Sequence, residues 1–182
     1  MSDRARVRRT VVVLPLVCGL LLGGAACGGD KKEKSTGGAS PTNSAEKQKF
    51  AKTRFVANAG LAAGASYQWI IKPYRNGAFK KGADGRTGAL VKAGLAGVFT
   101  YNRLKAATRN AQGDPTLAKA LAPVNAGIDS LKGLGSKLRK GEATDSDVNS
   151  VDSVITKVKD AGKSAGAPVT DKVPSTGELQ KG

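Results

Sequence analysis

From Leu117 to Leu138 the apolar residues Leu117, Leu121, Val124, Ile128, Leu131, Leu134 and Leu138 follow one another at steps of three or four. That spacing returns a side chain to the same face of an α-helix on every turn. A helix carrying such a stripe is stable only when another element covers it, so the chain is committed to helix-on-helix packing. The start is marked by Asp114 followed by Pro115, since proline suits the first helical position. Pro123 removes a backbone donor and predicts a kink, and Gly133, Gly135 and Gly141 weaken the far end.

Three further helices can be read around this one. Asn43 and Glu46 are spaced as a capping box, with Ser44 as an alternative cap, and predict a helix over 45–71. Pro73 should end or kink it. Residues 72–86 form a loop with turn signals at Asn76-Gly77 and Asp84-Gly85. Thr87 is placed to cap a helix over 88–111, and Thr144 with Asp147 to start one that carries Val148, Val151, Ile155 and Val158 on one face. The expected fold class is therefore all-α, a bundle of about four helices over 45–166. The tail, 167–182, is polar and proline-containing and reads as disordered.

Residues 59–76 align without gaps to 93–110, with Ala59/Ala93, Gly60/Gly94, Leu61/Leu95, Ala62/Ala96 and Tyr67/Tyr101 among the identical pairs. A tetratricopeptide array is excluded, because only two copies exist and the Trp and Pro positions do not recur. Duplication of one helix and chance similarity in Ala/Gly-rich sequence both stay open. Gly60 with Gly64, and Ala93 with Gly97, are small pairs that suit close packing of two helices in water.

The N-terminus is of a different kind. Arg4, Arg6, Arg8 and Arg9 precede an apolar run from Val11 to Leu22, which is followed by Gly23, Gly24, Ala25 and Ala26. That is the layout of a secretory signal peptide over 1–26, and the run is shorter than the roughly 20 residues of a membrane span. Leu20-Leu21-Leu22 and then Ala25-Ala26-Cys27 resemble the lipobox end of a bacterial lipoprotein precursor, although Gly24 stands where that family prefers Leu, Val or Ile. The resemblance covers the first 27 residues. It implies that Cys27 carries a diacylglycerol thioether and becomes the new N-terminus, so that the membrane is a partner through that lipid. Cys18 would leave with the signal, so Cys27 would have no disulfide partner in an exported protein. Ordinary cleavage near Ala26, releasing a soluble protein, is the alternative. Arg8-Arg9-Thr10-Val11-Val12 also resembles a relaxed twin-arginine export signal. Residues 28–44 are rich in Gly, Ser and Lys and read as a flexible linker with a reach of roughly 20–25 Å.

The net charge is +16, and it is uneven: 13 basic residues face one acid, Asp84, between Lys47 and Arg109, while 10 face 9 from Asn110 onward. All eight aromatic residues also lie between Phe50 and Tyr101. With no histidine and a single cysteine after the signal, His/Cys metal sets and His-based triads are excluded, and no phosphate-cradling glycine motif is present. No enzymatic activity, metal or cofactor is expected. The candidate binding residues are Lys72, Arg75, Lys80, Lys81 and Arg86 of the loop, interleaved with Tyr74 and Phe79. Their expected partners are anionic phospholipid or an anionic wall polymer, with the acidic fourth helix facing away. A solvated loop whose charge serves solubility is the plain alternative. A second class, a secreted basic protein holding nucleic acid or another polyanion, would account for the charge but lacks a readout motif.

Overall fold

The computed structural model describes residues 44–182, all within one compact unit, Ala39–Gly182. Cys27 and the expected signal peptide and linker up to residue 43 lie outside the described residues. Within them the chain is all-α, as the apolar periodicity requires, with helices packed on one another and no strands.

Helix α1, Ser44–Ser66, runs without a break into a π-helical turn, Tyr67–Ile71, and then into α2, Lys72–Arg75. Pro73 is the cause. It has no N–H to offer the Trp69 carbonyl and its ring crowds that carbonyl, so the ladder opens by one residue and the Lys72 N–H bonds the Tyr67 carbonyl. The helix thus continues past the proline through a π-helical turn and does not end there. Helix α3, Arg86–Ala111, begins after Gly85, which is left-handed at φ 68°; no side chain caps it, so Thr87 is the second helical residue and not the cap.

Helices α1 and α3 are antiparallel. Lys52 pairs with Asp114 just beyond the end of α3, Asn58 meets Arg103, Ser66 meets Thr100, and Trp69 meets Lys92. The two segments that match at an offset of 34 residues lie in these helices, and their Ala59, Ala62, Ala93 and Ala96 are buried, as are Gly60 and Gly94. At the crossing, Ser66 Oγ and Thr100 Oγ1 lie 3.1 Å apart, an aligned pair that meets itself. Ser66 Oγ also donates to the Ala62 carbonyl at 2.8 Å, which leaves Thr100 to donate to Ser66. Ser66→Ala alone is expected to cost about 1–3 kcal/mol by orphaning a buried hydroxyl, and adding Thr100→Val to recover most of it. Urea unfolding of the two single variants and the double checks this; equal and additive losses would refute the coupling.

The seam from Leu117 to Leu138 is buried throughout, but in pieces. Asp114 caps α4, Pro115–Leu121, by accepting from the Leu117 N–H at 2.9 Å. Pro123 converts the next turn, Ala122–Val124, to 3-10 geometry before α5, Asn125–Ser130, and Gly133, left-handed at φ 86°, separates α5 from α6, Leu134–Lys140. One kinked helix was expected; three short ones keep the same stripe inward. Helix α6 lies against α3 where Gly135 meets Gly94 and Gly97, and a β-carbon on Gly97 would come within 2.8 Å of the Gly135 Cα. Helix α7, Asp145–Ser164, starts with the expected Thr144/Asp147 capping box and buries Val148, Val151, Ile155 and Val158.

The tail is ordered, which corrects the expected disorder of 167–182. After α7 it runs back across α1, where the Lys172 N–H bonds the Gly60 carbonyl at 2.8 Å. Trp69 Nε1 then donates to the Pro174 carbonyl at 3.3 Å, and Lys159 pairs with Asp171 at 2.8 Å. A capping box of Ser175 and Glu178 opens α8, Thr176–Gln180, whose Leu179 is buried, and Asn102 on α3 holds the Gly182 carbonyl. Polar composition concealed three anchors, Ala167, Pro174 and Leu179. Between them, Thr170, Lys172 and Val173 lie on helix backbone bared at Gly60 and Gly64, so those glycines receive the tail and not a second helix.

Candidate functional site

The loop between α2 and α3 is built from successive tight turns. Lys80 N–H bonds the Gly77 carbonyl, Ala83 that of Lys80, and Arg86 that of Ala83. Arg86 Nε closes the loop by donating to the Phe79 carbonyl at 2.9 Å, and the Tyr74 and Phe79 rings meet edge-on at 5.9 Å. The loop then leans on α7. Arg75 pairs with Asp152 at 3.0 Å, and the Tyr74 hydroxyl donates to Asp145. That bond, first among several causes, holds the Tyr74 phenol above its ordinary pKa. The acidic helix therefore touches the loop instead of facing away, because its N-terminal carboxylates are what the loop's aromatic and guanidinium groups bind.

The five expected cations consequently have different surroundings. Arg75 is paired with Asp152, and Arg86 is half-buried and spent on a carbonyl. Lys80 borders a cavity of about 350 Å³ walled by Tyr74, Phe79, Leu90 and Leu138, with Asp145 across from it. Lys81 is exposed, and Lys72 turns to the other side of the loop.

That other side is a larger cleft, about 570 Å³, between the end of α1 and the start of α3. Gln68, Trp69, Lys72, Pro73 and Asn76 form one wall, and Gly85, Gly88, Ala89 and Lys92 the other. No carboxylate lines it. Trp69 is fixed at its edge by the Pro174 carbonyl, and Lys92 Nζ stands 5.7 Å from its ring centroid. Gly88 and Ala89 leave the floor open; a β-carbon on Gly88 would meet nothing within 4 Å. Two lysines, two side-chain amides and an indole face suit an anionic ligand with a sugar-like or flat body.

Sequence reasoning singled out Lys72 but not Lys92, Gln68 or Asn76. A signal existed: 68, 72 and 76 share a helix face, as do 85, 88, 89 and 92. No family model, curated protein or solved structure matches this chain. Among the described residues, no helix is long and apolar enough to cross a membrane, and no three His, Cys, Asp or Glu side chains are grouped to hold a metal ion.

Proposed function

We propose that this chain is a lipid-anchored extracytoplasmic protein, non-catalytic, that binds an anionic polymer of the cell wall in the Trp69–Lys72–Lys92 cleft. The acid-free lining of that cleft is the observation that carries the ligand class. The export signal and the unpaired Cys27 support the anchor. The helical run from Ser44 to Ile71 is about 40 Å long at 1.5 Å per residue, so the cleft lies far from the end at which the linker enters. Such a position favours a wall polymer over phospholipid.

The test uses the mature chain and the fluorescence of Trp69, its one tryptophan. Purified anionic wall polymer should shift that emission, less so as salt rises. Lys72→Glu with Lys92→Glu should weaken binding by roughly tenfold or more. Lys119→Glu with Lys157→Glu, an equal change in net charge, should weaken it only slightly. Equal losses would leave net charge alone as the cause. Preference for single-stranded nucleic acid would transfer the reading to a polyanion-binding protein. In cells, Cys27→Ser should abolish lipid labelling and release the chain from membranes; unchanged retention would remove the anchor.

A further inference from the structure

The opposite end of the α1–α3 pair carries a second basic surface. Phe50 is 46% exposed on the second turn of α1. Lys47 precedes it by three residues and Arg54 follows by four, so both share its helix face, as does one acid, Glu46, four residues before it. Arg109, from the last turn of α3, completes a shallow depression of about 310 Å³ around it, with Asn110 and Gly113 at the rim. Neither Lys47, Arg54 nor Arg109 has a carboxylate within 4.0 Å among the described residues, whereas nearby Lys52 is paired with buried Asp114. Asp114 is buried and so adds no acid to the surface.

An exposed aromatic ring amid unpaired cations suits the boundary of an anionic bilayer: the ring enters the acyl edge and the cations meet headgroup phosphates. Location argues the same way. Residue 44 begins α1, so this surface lies six residues from the point where the linker ends. With a lipid on Cys27, residues 28–44 read as a flexible linker would reach roughly 20–25 Å. That span covers this end of the bundle, while the cleft lies about 30 Å further along the helical run from Phe50.

We infer that the Phe50 surface docks on the anionic phospholipid bilayer, standing α1 on end and presenting the Trp69 cleft outward. The inference rests on the anchored reading, but the surface can be tested without the lipid. The mature chain with Cys27→Ser is mixed with vesicles containing phosphatidylglycerol or phosphatidylcholine alone. It should sediment with the anionic vesicles, release as salt rises, and ignore the neutral ones. Lys47→Glu, Arg54→Glu and Arg109→Glu together should weaken binding roughly a hundredfold. Phe50→Ser should weaken it as well, at unchanged helix content by circular dichroism. Lys72→Glu, Lys80→Glu and Lys81→Glu together, the same charge change at the far end, should have less than a tenth of that effect. Trp69 gives the orientation: brominated lipids should not quench it.

Equal losses from the two triple variants, quenching of Trp69, or no anionic-vesicle binding at low salt would each overturn the proposal. Binding of soluble wall polymer through the Phe50 surface, with vesicles ignored, would overturn it in favour of a second polymer site. Failure of lipid labelling at Cys27 with vesicle binding intact would remove the anchor and leave the docking surface standing.

Discussion

Gly64→Ala is expected to lift the C-terminal segment off α1 and to lower stability by about 2.5–4 kcal/mol. A β-carbon at Gly64 would fall on the Lys172 carbonyl and lie 2.7 Å from the Val173 nitrogen. Both are backbone atoms, so no side-chain rotation relieves the overlap. Gly60 is crowded in the same way, since a β-carbon there would lie 2.5 Å from the Thr170 carbonyl oxygen. When the segment lifts, the bond from Lys172 to Gly60 and the bond from Trp69 to Pro174 are lost. Each contributes about 1 kcal/mol net, and exposing Leu179 costs about 1.5–3 kcal/mol. Alanine in a helix interior returns about 1 kcal/mol over glycine, which gives the net figure. Gly88→Ala provides the opposite case. It is also helical, but its β-carbon would meet open space, so a gain of about 0.5–1 kcal/mol is expected. Thermal melts, with limited proteolysis between residues 166 and 175, read both. Gly64→Ala melting at or above the parent would mean that the tail adds nothing to the fold.

Those two glycines show what the sequence made legible. A helix stripe can be read because spacing alone decides which side chains share a face, and Leu117 to Leu138 are all buried although Pro123 and Gly133 cut the helix into three. The cuts change backbone direction without changing which residues the core needs. The tail could not be read that way. Its anchors lack a period, and the stretch between them lies on backbone that only the folded α1 presents. Ser175 and Glu178 nevertheless form a capping box that polar composition obscures. The surroundings of the candidate cations were hidden for a related reason. Lys72, Arg75, Lys80, Lys81 and Arg86 are near one another along the chain, but a loop turns its neighbours in different directions. Asp152 and the Phe79 carbonyl claim two of them, and Lys92 joins Lys72 from another helix.

Leu131→Ala should cost about 2–3 kcal/mol and lower the melting temperature by on the order of 10 °C. Leu131 is 3% exposed and ends α5, where the seam passes into α6. Truncating a buried leucine removes its transfer energy and leaves a cavity, together about 2–5 kcal/mol. The lower half of that range applies here. A depression of about 190 Å³, bordered by Leu131, Leu134, Lys137 and Asp147, already reaches the side chain, so water can occupy part of the space. Leu117, fully buried behind the Asp114 cap, has no such opening, and Leu117→Ala should cost more, about 3–5 kcal/mol. Twelve of the 31 buried apolar residues among those described are alanine, which leaves few large side chains to hold the bundle once one is cut. Val91, 45% exposed on α3, supplies the comparison: Val91→Ala should stay within about 0.5 kcal/mol. If Leu131→Ala melted with Val91→Ala, the seam would be facing solvent and α5 and α6 would not cover the core.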